Sequence, residues 1–76
     1  MKIKIYTKSE LALLYYPHLS PHIAVGMLMR KVNHSLPLLE ALKREGYKNR
    51  NKTFSMRETL LVYEYLGEPE NAYQDL

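Results

Sequence analysis

Positive charge is concentrated in one short stretch of the chain, GYKNRNKTFSMRETL at residues 46–60. Within it, residues 48–52 form what we call the basic loop, in which Lys48, Arg50 and Lys52 alternate with Asn49 and Asn51. Ammonium and guanidinium groups bind phosphate oxygens, whose charge is the same in every nucleic-acid sequence. The residue types and their spacing therefore predict a site for a polyanion, and duplex DNA is the partner that we expect.

The distribution of charge along the chain agrees with this interpretation. Residues 43–57 carry six basic side chains against Glu45 alone, whereas residues 58–76 carry five acidic side chains and no basic one. The net charge of +3 conceals this segregation. A separated electropositive region is typical of surfaces that meet phosphate or an acidic partner. A solvated charged loop followed by an acidic tail, residues 68–76, is the alternative, and it stays open.

Other kinds of chemistry lack the residues that they need. The chain has no Cys and only three His residues. His18 and His22 are four residues apart, but Pro21 places His18 in a loop before the helix that holds His22. Three isolated Gly residues do not form a phosphate-binding loop. We therefore expect no enzyme, no metal site, no cofactor and no small-molecule ligand.

The composition indicates one small folded domain. A content of 46% hydrophobic and 25% charged residues is ordinary for a folded protein. No apolar run approaches the ~18 residues that a membrane span needs, and the start of the chain lacks the apolar core of a signal peptide. We expect a cytoplasmic protein with no membrane partner, in which residues 1–67 form the domain and residues 68–76 form the tail.

A short strand and a first helix are predicted at the start of the chain. KIKIY, residues 2–6, alternates polar and apolar residues as a strand does. Thr7 and Glu10 have the spacing of a capping box, which starts a helix. This helix runs to about Tyr16, because Pro17 disfavours helical geometry in the residue before it.

The second helix carries the predicted base-reading face. Ser20 and Pro21 mark its start, and it runs to about Asn33. Its inner side holds Ala24, Val25, Leu28 and Val32, and its outer side holds His22, Gly26, Met29, Arg30 and Asn33. The first two helices with a short turn between them form the outline of a helix-turn-helix, whose second helix enters the major groove. His22, Arg30 and Asn33 are therefore candidate DNA contacts.

A third helix starts at Ser35 and Pro37 and ends at Gly46, after which Tyr47 packs back on Leu42 in a Schellman motif. Residues 47–54 follow as a short β-hairpin or an exposed loop. As a hairpin they would form a wing. Lys48, Arg50, Lys52 and the nearby Arg57 are then candidate contacts to backbone phosphates.

The fourth helix begins at a second capping box, Ser55 with Glu58, and runs to about Leu66 before Gly67. Its apolar residues lie on most sides: Met56, Leu60, Leu61, Val62, Tyr63, Tyr65 and Leu66. So much apolar surface in a small domain predicts a partner, most simply a homodimer through this helix.

Two segments carry a resemblance to a known family. IYTKSELALLYYPHLSP, residues 5–21, and GYKNRNKTFSMRETLLVYEYLGEP, residues 46–69, resemble short uncharacterised proteins from Bacteroides and its relatives, known only as a domain of unknown function. The resemblance covers Lys2 to about Pro69. It implies no activity, substrate or partner.

A second, weaker resemblance is to the DNA-binding domains of MerR-type regulators and small phage excisionases. Their Thr-capped first helix with Glu-Leu-Ala looks like residues 6–12, their recognition helix starts like Ser20-Pro21, and their wing and following helix look like residues 47–66. The chain departs from that pattern by a helix at residues 37–45, before the wing, and by the absence of an Arg-rich stretch in the recognition helix.

The sequence thus predicts a mostly α, small helix-turn-helix-like domain of about four helices, with a short N-terminal strand and a β-hairpin wing. The predicted function is DNA binding by a small regulatory or accessory protein. A protein–protein adaptor that uses the first and fourth helices is the alternative. Binding of single-stranded RNA through Tyr47 and the basic loop comes third.

Overall fold

The structure is a computed structural model that describes residues 4–69. The elements follow in the order β1 (Tyr6–Thr7), α1 (Lys8–Tyr15), α2 (Pro21–His34), α3 (Leu36–Arg44), β2 (Thr53–Phe54) and α4 (Met56–Leu66). The predicted fold class is confirmed, since four helices and a short two-stranded antiparallel sheet form a small helix-turn-helix-like domain. Among residues 4–69, no helix has the length and apolar character that crossing a bilayer requires.

Both predicted capping boxes are present. The Thr7 hydroxyl accepts from the N–H of Glu10 at 3.0 Å, and the Glu10 carboxylate accepts from the N–H of Thr7 at 2.8 Å. Ser55 and Glu58 repeat the arrangement at 3.1 and 2.8 Å. Two backbone N–H groups at the start of α1 and two at the start of α4 are satisfied in this way, which fixes where these helices begin.

The starts of α2 and α3 are confirmed in position but differ in mechanism. Ser20 and Ser35 occupy the N-cap positions, yet within the described residues neither hydroxyl accepts a cap hydrogen bond. Each helix instead has Pro in its first turn, where no N–H is required. These two helix starts rely on backbone preorganisation more than on a side-chain cap.

The predicted Schellman motif closes α3. Gly46 has φ of 89°, a conformation that L side chains rarely adopt. The N–H of Tyr47 donates to the carbonyl of Leu42, and the N–H of Gly46 donates to that of Lys43, both at 3.0 Å. This closure turns the chain so that Tyr47 is buried against the core.

The pairing of the sheet corrects one detail of the predicted wing. Tyr6 pairs with Phe54 and Thr7 with Thr53, so β2 joins the N-terminal strand and not residues 47 and 48. Because the Schellman motif turns Tyr47 into the core, that residue is not available for a hairpin ladder. Residues 48–52 are therefore a largely exposed loop with one turn, which is the second of the two predicted alternatives.

The predicted strand over residues 2–6 is shifted. Residues 2 and 3 lie outside the described residues, and Lys4 and Ile5 are not in the strand. Ile5 is 63% exposed, whereas Tyr6 is buried in the core. The ring of Tyr6 faces the core, whereas the two Ile residues of KIKIY indicate that the opposite side of the strand is the buried one. Of the predicted acidic tail, residues 70–76 also lie outside the described part.

Every helix and both strands contribute to one core. Its buried members are Tyr6, Leu11, Ala12, Ala24, Leu28, Val32, Leu38, Leu42, Tyr47, Phe54, Val62 and Tyr63. α1 packs on α2, α2 on α3, α3 on α4, and β2 on α4. On α2, the buried residues Ala24, Leu28 and Val32 repeat every four positions. The opposite side of that helix is left in solvent.

Candidate nucleic-acid interface

The outer face of α2 is exposed as predicted. His22, Gly26, Arg30 and Asn33, which we call the α2 outer face, all lie in solvent. Within residues 4–69, no hydrogen bond or ion pair engages the side chains of His22, Arg30 or Asn33. These polar groups are therefore available to a ligand.

This side of α2 differs from the prediction in two respects. Met29 is not an outer residue, because it is partly buried and packs against the core. Ile23 and Met27 are exposed at 53% and 39%, so the solvent side of α2 is more apolar than the sequence indicates. At about 100° per residue, His22 and Asn33 are the members of the α2 outer face that lie closest to Met29 around the helix.

The cations of the basic loop point into solvent. Lys48, Arg50 and Lys52 are exposed, and no partner for their side chains exists in the described part of the chain. The loop is nevertheless ordered by backbone contacts, since the N–H of Asn51 donates to the carbonyl of Lys48 at 2.9 Å. Because the turn is fixed, the loop can contact phosphates at little cost in backbone conformational entropy.

Lys8 supports this loop, a role that is not among those predicted from the sequence. Its Nζ donates to the carbonyl of Asn49 at 2.7 Å, and its backbone N–H donates to the carbonyl of Lys52 at 2.9 Å. Nζ also lies 5.2 Å from the ring centroid of Tyr47. Burial lowers the pKa of Lys8, and the negative charge of Glu58 partly opposes this shift. The sequence signal that could have indicated this role is the position of Lys8 in the first turn of a helix, where the helix dipole disfavours a cation.

Tyr47 joins the basic loop to α2. Its ring stacks on that of Phe54 with centroids 5.5 Å apart and planes 8° from parallel. Its hydroxyl donates to Sδ of Met29 at 3.9 Å. Burial, with a smaller contribution from Glu58, raises the pKa of Tyr47 to about 12. The residue before Lys48 thus contacts the residue before Arg30.

Arg57 has a different environment from the other predicted contacts. Its guanidinium forms an ion pair with Glu45 at 3.4 Å, although its side chain is 79% exposed. The pair links the start of α4 to the end of α3. A solvent-exposed pair of this kind is weak, so Arg57 can still exchange Glu45 for another anion.

Metal chemistry has no ligand cluster in the described range. Residues 4–69 contain no group of three or more His, Asp or Glu side chains that could hold a metal ion. What the geometry of residues 4–69 offers is exposed polar and positively charged side chains on two adjacent elements, the basic loop and α2. Exposed ammonium and guanidinium groups can bind anions non-covalently.

Comparison with known proteins gives a family without a described activity. A family model described as a domain of unknown function (DUF4248) matches residues 2–69. The chain belongs to this family. No curated protein matches the chain, and no solved structure matches it.

Proposed function

We propose that this member of the family is a small cytoplasmic DNA-binding protein of regulatory or accessory function. The observation that carries the proposal is the contact of 3.9 Å between the Tyr47 hydroxyl and Sδ of Met29. It makes the basic loop a neighbour of α2, so that two sets of free polar side chains belong to adjacent elements. Recognition of a duplex commonly uses such a pair of elements, since one enters the groove and the other contacts the phosphate backbone.

In the proposed complex, the α2 outer face lies in the major groove. Arg30 and Asn33 have the donors and acceptors that base edges require, and His22 can contact a base or a phosphate. Gly26 has no side chain, and a Cβ atom added there would meet nothing within 4 Å. Its absence allows the helix to come closer to DNA.

In the proposed complex, the basic loop acts as the wing. Lys48, Arg50 and Lys52 contact phosphates on the backbone beside the groove, with Arg57 as a further cation. The resemblance to MerR-type regulators and excisionases supports the same use of the two elements. In this arrangement the loop supplies affinity and the outer face of α2 supplies sequence preference.

Recognition of single-stranded RNA has less support. That hypothesis uses Tyr47 as a stacking platform for a base. The Tyr47 ring is 4% exposed and already stacks on Phe54. A base cannot reach it without opening the core.

Fluorescence anisotropy with labelled duplex DNA, single-stranded DNA and RNA tests the proposal. Each titration is performed at two salt concentrations with the parent chain, with Arg50→Ala/Lys52→Ala, and with Lys4→Ala/Lys31→Ala. The second variant removes the same charge from two Lys residues that are not among the proposed DNA contacts and that lie over the rings of Tyr6 and Tyr16.

We expect the parent to prefer duplex DNA, with binding weakened by salt and weakened more by the loop variant than by its control. Equal loss in both variants would indicate attraction by net charge alone. Tighter binding to single strands would contradict the duplex and indicate that the partner is RNA or single-stranded DNA.

A protein–protein adaptor is the second candidate, and one observation favours it. Met56, Leu60 and Tyr65 on α4 are 46–51% exposed. Exposed apolar residues on one helix are typical of a protein interface. If no nucleic acid binds at any salt concentration, the adaptor becomes the better description.

A further inference from the structure

We infer that α4 is the contact of a two-fold dimer in which the α4 helices of two copies run antiparallel. The surface involved, which we call the α4 outer face, spans half of the helix circumference: Met56, Arg57, Leu60, Leu61, Glu64 and Tyr65. Arg57 is the one residue that this face shares with the proposed DNA interface, and in the dimer it contacts the partner subunit and not a phosphate.

The α4 outer face has a symmetrical pattern. Arg57 and Glu64 lie on its centre line at opposite ends, seven residues and about 10 Å apart. Leu60 and Leu61 lie between them, one on each side of that line. An antiparallel two-fold axis midway between the two Leu residues brings Arg57 opposite Glu64 of the partner subunit, and the same pair forms again on the other side of the axis.

The apolar residues satisfy the same symmetry. Leu60 meets its own counterpart on one flank, and Leu61 meets its own on the other. Met56 extends the first apolar row, and Tyr65 extends the second. Leu60, Met56 and Tyr65 are about half exposed in the single chain, so each has apolar surface left to bury.

The shape of the surface provides a place for the partner. A shallow depression is lined by Glu45, Arg57, Leu60 and Leu61. It lies toward the Arg57 end of the α4 outer face, beside the end of α3, where a side chain of the second copy would insert. A parallel arrangement would bring Arg57 beside its own counterpart and place like charges together, which is unfavourable. The charge pattern therefore selects the antiparallel dimer of this same chain as the occupant.

Sedimentation velocity from micromolar to submillimolar concentration tests the dimer. The parent should shift toward about 18 kDa, twice the chain mass of 9.0 kDa. Leu60→Glu should raise the dimer dissociation constant at least about tenfold, since it places two carboxylates at the axis. Ile23→Glu, at a residue equally exposed on α2, should leave it unchanged. A parent that remains a monomer over the whole range overturns the inference.

Charge reversal tests the orientation. Arg57→Glu and Glu64→Arg should each weaken the dimer, and the double variant should restore it to within about threefold of the parent, because opposite charges again face each other. Within one chain the two residues are too far apart to compensate. A double variant no better than the singles overturns the antiparallel arrangement. Since Arg57 also pairs with Glu45, circular dichroism of each variant confirms that the helices are retained.

A disulfide gives a second measurement that does not depend on charge. The chain contains no Cys, so a cross-link in Leu60→Cys can form only between two copies. Leu60→Cys should oxidise readily to a covalent dimer, and Ile23→Cys should not. Equal cross-linking of both would mean random collision and contradict the dimer.

Discussion

The hydroxyl of Tyr47 donates to Sδ of Met29 across 3.9 Å, which links the start of the basic loop to the middle of α2. A thioether is a weak acceptor, so this contact positions the two elements more than it stabilises them. The connection between the two elements is stabilised mainly by burial of the Tyr47 ring, which stacks on Phe54. The contact thereby keeps the start of the basic loop next to α2.

Tyr47→Phe should change how stability depends on alkaline pH. The pKa of Tyr47 is raised from 10.0 to about 12 in the folded chain. Between these values the unfolded chain loses the phenol proton and the folded chain keeps it, so stability falls as the pH rises. Phe has no such proton, and the variant should lose less stability over this range.

Urea unfolding of both proteins at neutral pH and at about pH 11 measures the difference. Burial also raises the pKa of Tyr15. That residue is present in both proteins, so its effect cancels in the comparison. Parallel declines in the two proteins would show that the Tyr47 hydroxyl titrates as it does in the unfolded chain.

Lys8→Met should loosen the basic loop while leaving the domain folded. The substitution removes the hydrogen bond from Nζ to Asn49 but keeps an unbranched apolar stem. The free energy of unfolding should change by no more than about 1 kcal/mol, because the lost bond is offset by removal of a partly desolvated charge. The local effect should be larger, and the amide of Asn51 should exchange its hydrogen faster.

Hydrogen exchange followed by NMR measures this effect, with Lys48→Met as the matched control. Lys48 is an exposed Lys of the same loop whose side chain has no partner within residues 4–69. Its loss should leave exchange at Asn51 nearly unchanged. Equal acceleration in both variants would assign the effect to charge and remove Lys8 as the support of the loop.

The features that the sequence predicted well are local ones. A capping box involves residues three apart, as in Thr7 with Glu10, and the hydrogen bonds of the Schellman motif at Gly46 and Tyr47 join residues no more than five apart. Such signals depend on backbone geometry that the sequence specifies directly. The helix limits and the cores of α2 and α3 follow from them.

The features that were missed are contacts between distant parts of the chain. Thr53 pairs with Thr7 across 46 residues, and Lys8 reaches Asn49 across 41. Nothing in the local pattern of residues 47–54 distinguishes a strand that pairs with its neighbour from one that pairs with the N-terminus. The exposed cations of the loop could be predicted because charge and turn residues are local signals. The support of the loop by Lys8 could not be predicted, because it is a contact between distant residues.

The two kinds of helix start should differ in mutational cost. Thr7→Ala and Ser55→Ala should each destabilise the fold by about 0.5–2 kcal/mol, because each leaves a backbone N–H without its acceptor. Ser20→Ala and Ser35→Ala should cost less than about 0.5 kcal/mol, since within the described residues their hydroxyls accept no cap bond. Thermal melts of the four variants give the comparison. Equal costs would mean that the capping boxes add nothing beyond the N-cap residue type.

Gly26→Ala should have opposite effects on stability and binding. A Cβ atom at this position meets nothing within 4 Å, and Ala in a helix interior is favoured over Gly by about 0.5–1 kcal/mol. The folded state should therefore become more stable. In the proposed complex the added methyl group lies against DNA and should weaken binding. Thermal melts and anisotropy on the same samples measure both, and tighter or unchanged binding would remove Gly26 from the interface.

The last prediction separates the basic loop from α2. Arg50→Ala/Lys52→Ala should weaken binding about equally for every duplex, because phosphates carry no sequence information. Each lost phosphate contact should reduce the slope of log K against log salt by about 0.9. The basic loop should thus determine the salt dependence and not the choice of site.

Arg30→Ala should behave differently, because in the proposed complex Arg30 lies where base edges can be reached. It should lose about 1–3 kcal/mol on a selected site and much less on random DNA, which narrows the gap between the two. Asn33→Ala should have a smaller effect, since Asn33 lies one residue before the end of α2. Titration of each variant against a selected site and a random duplex at several salt concentrations yields both the slope and the gap. If the loop variant lost discrimination and Arg30→Ala lost only affinity, the assignment of the two elements would be reversed, with the loop reading the bases and α2 lying on the backbone.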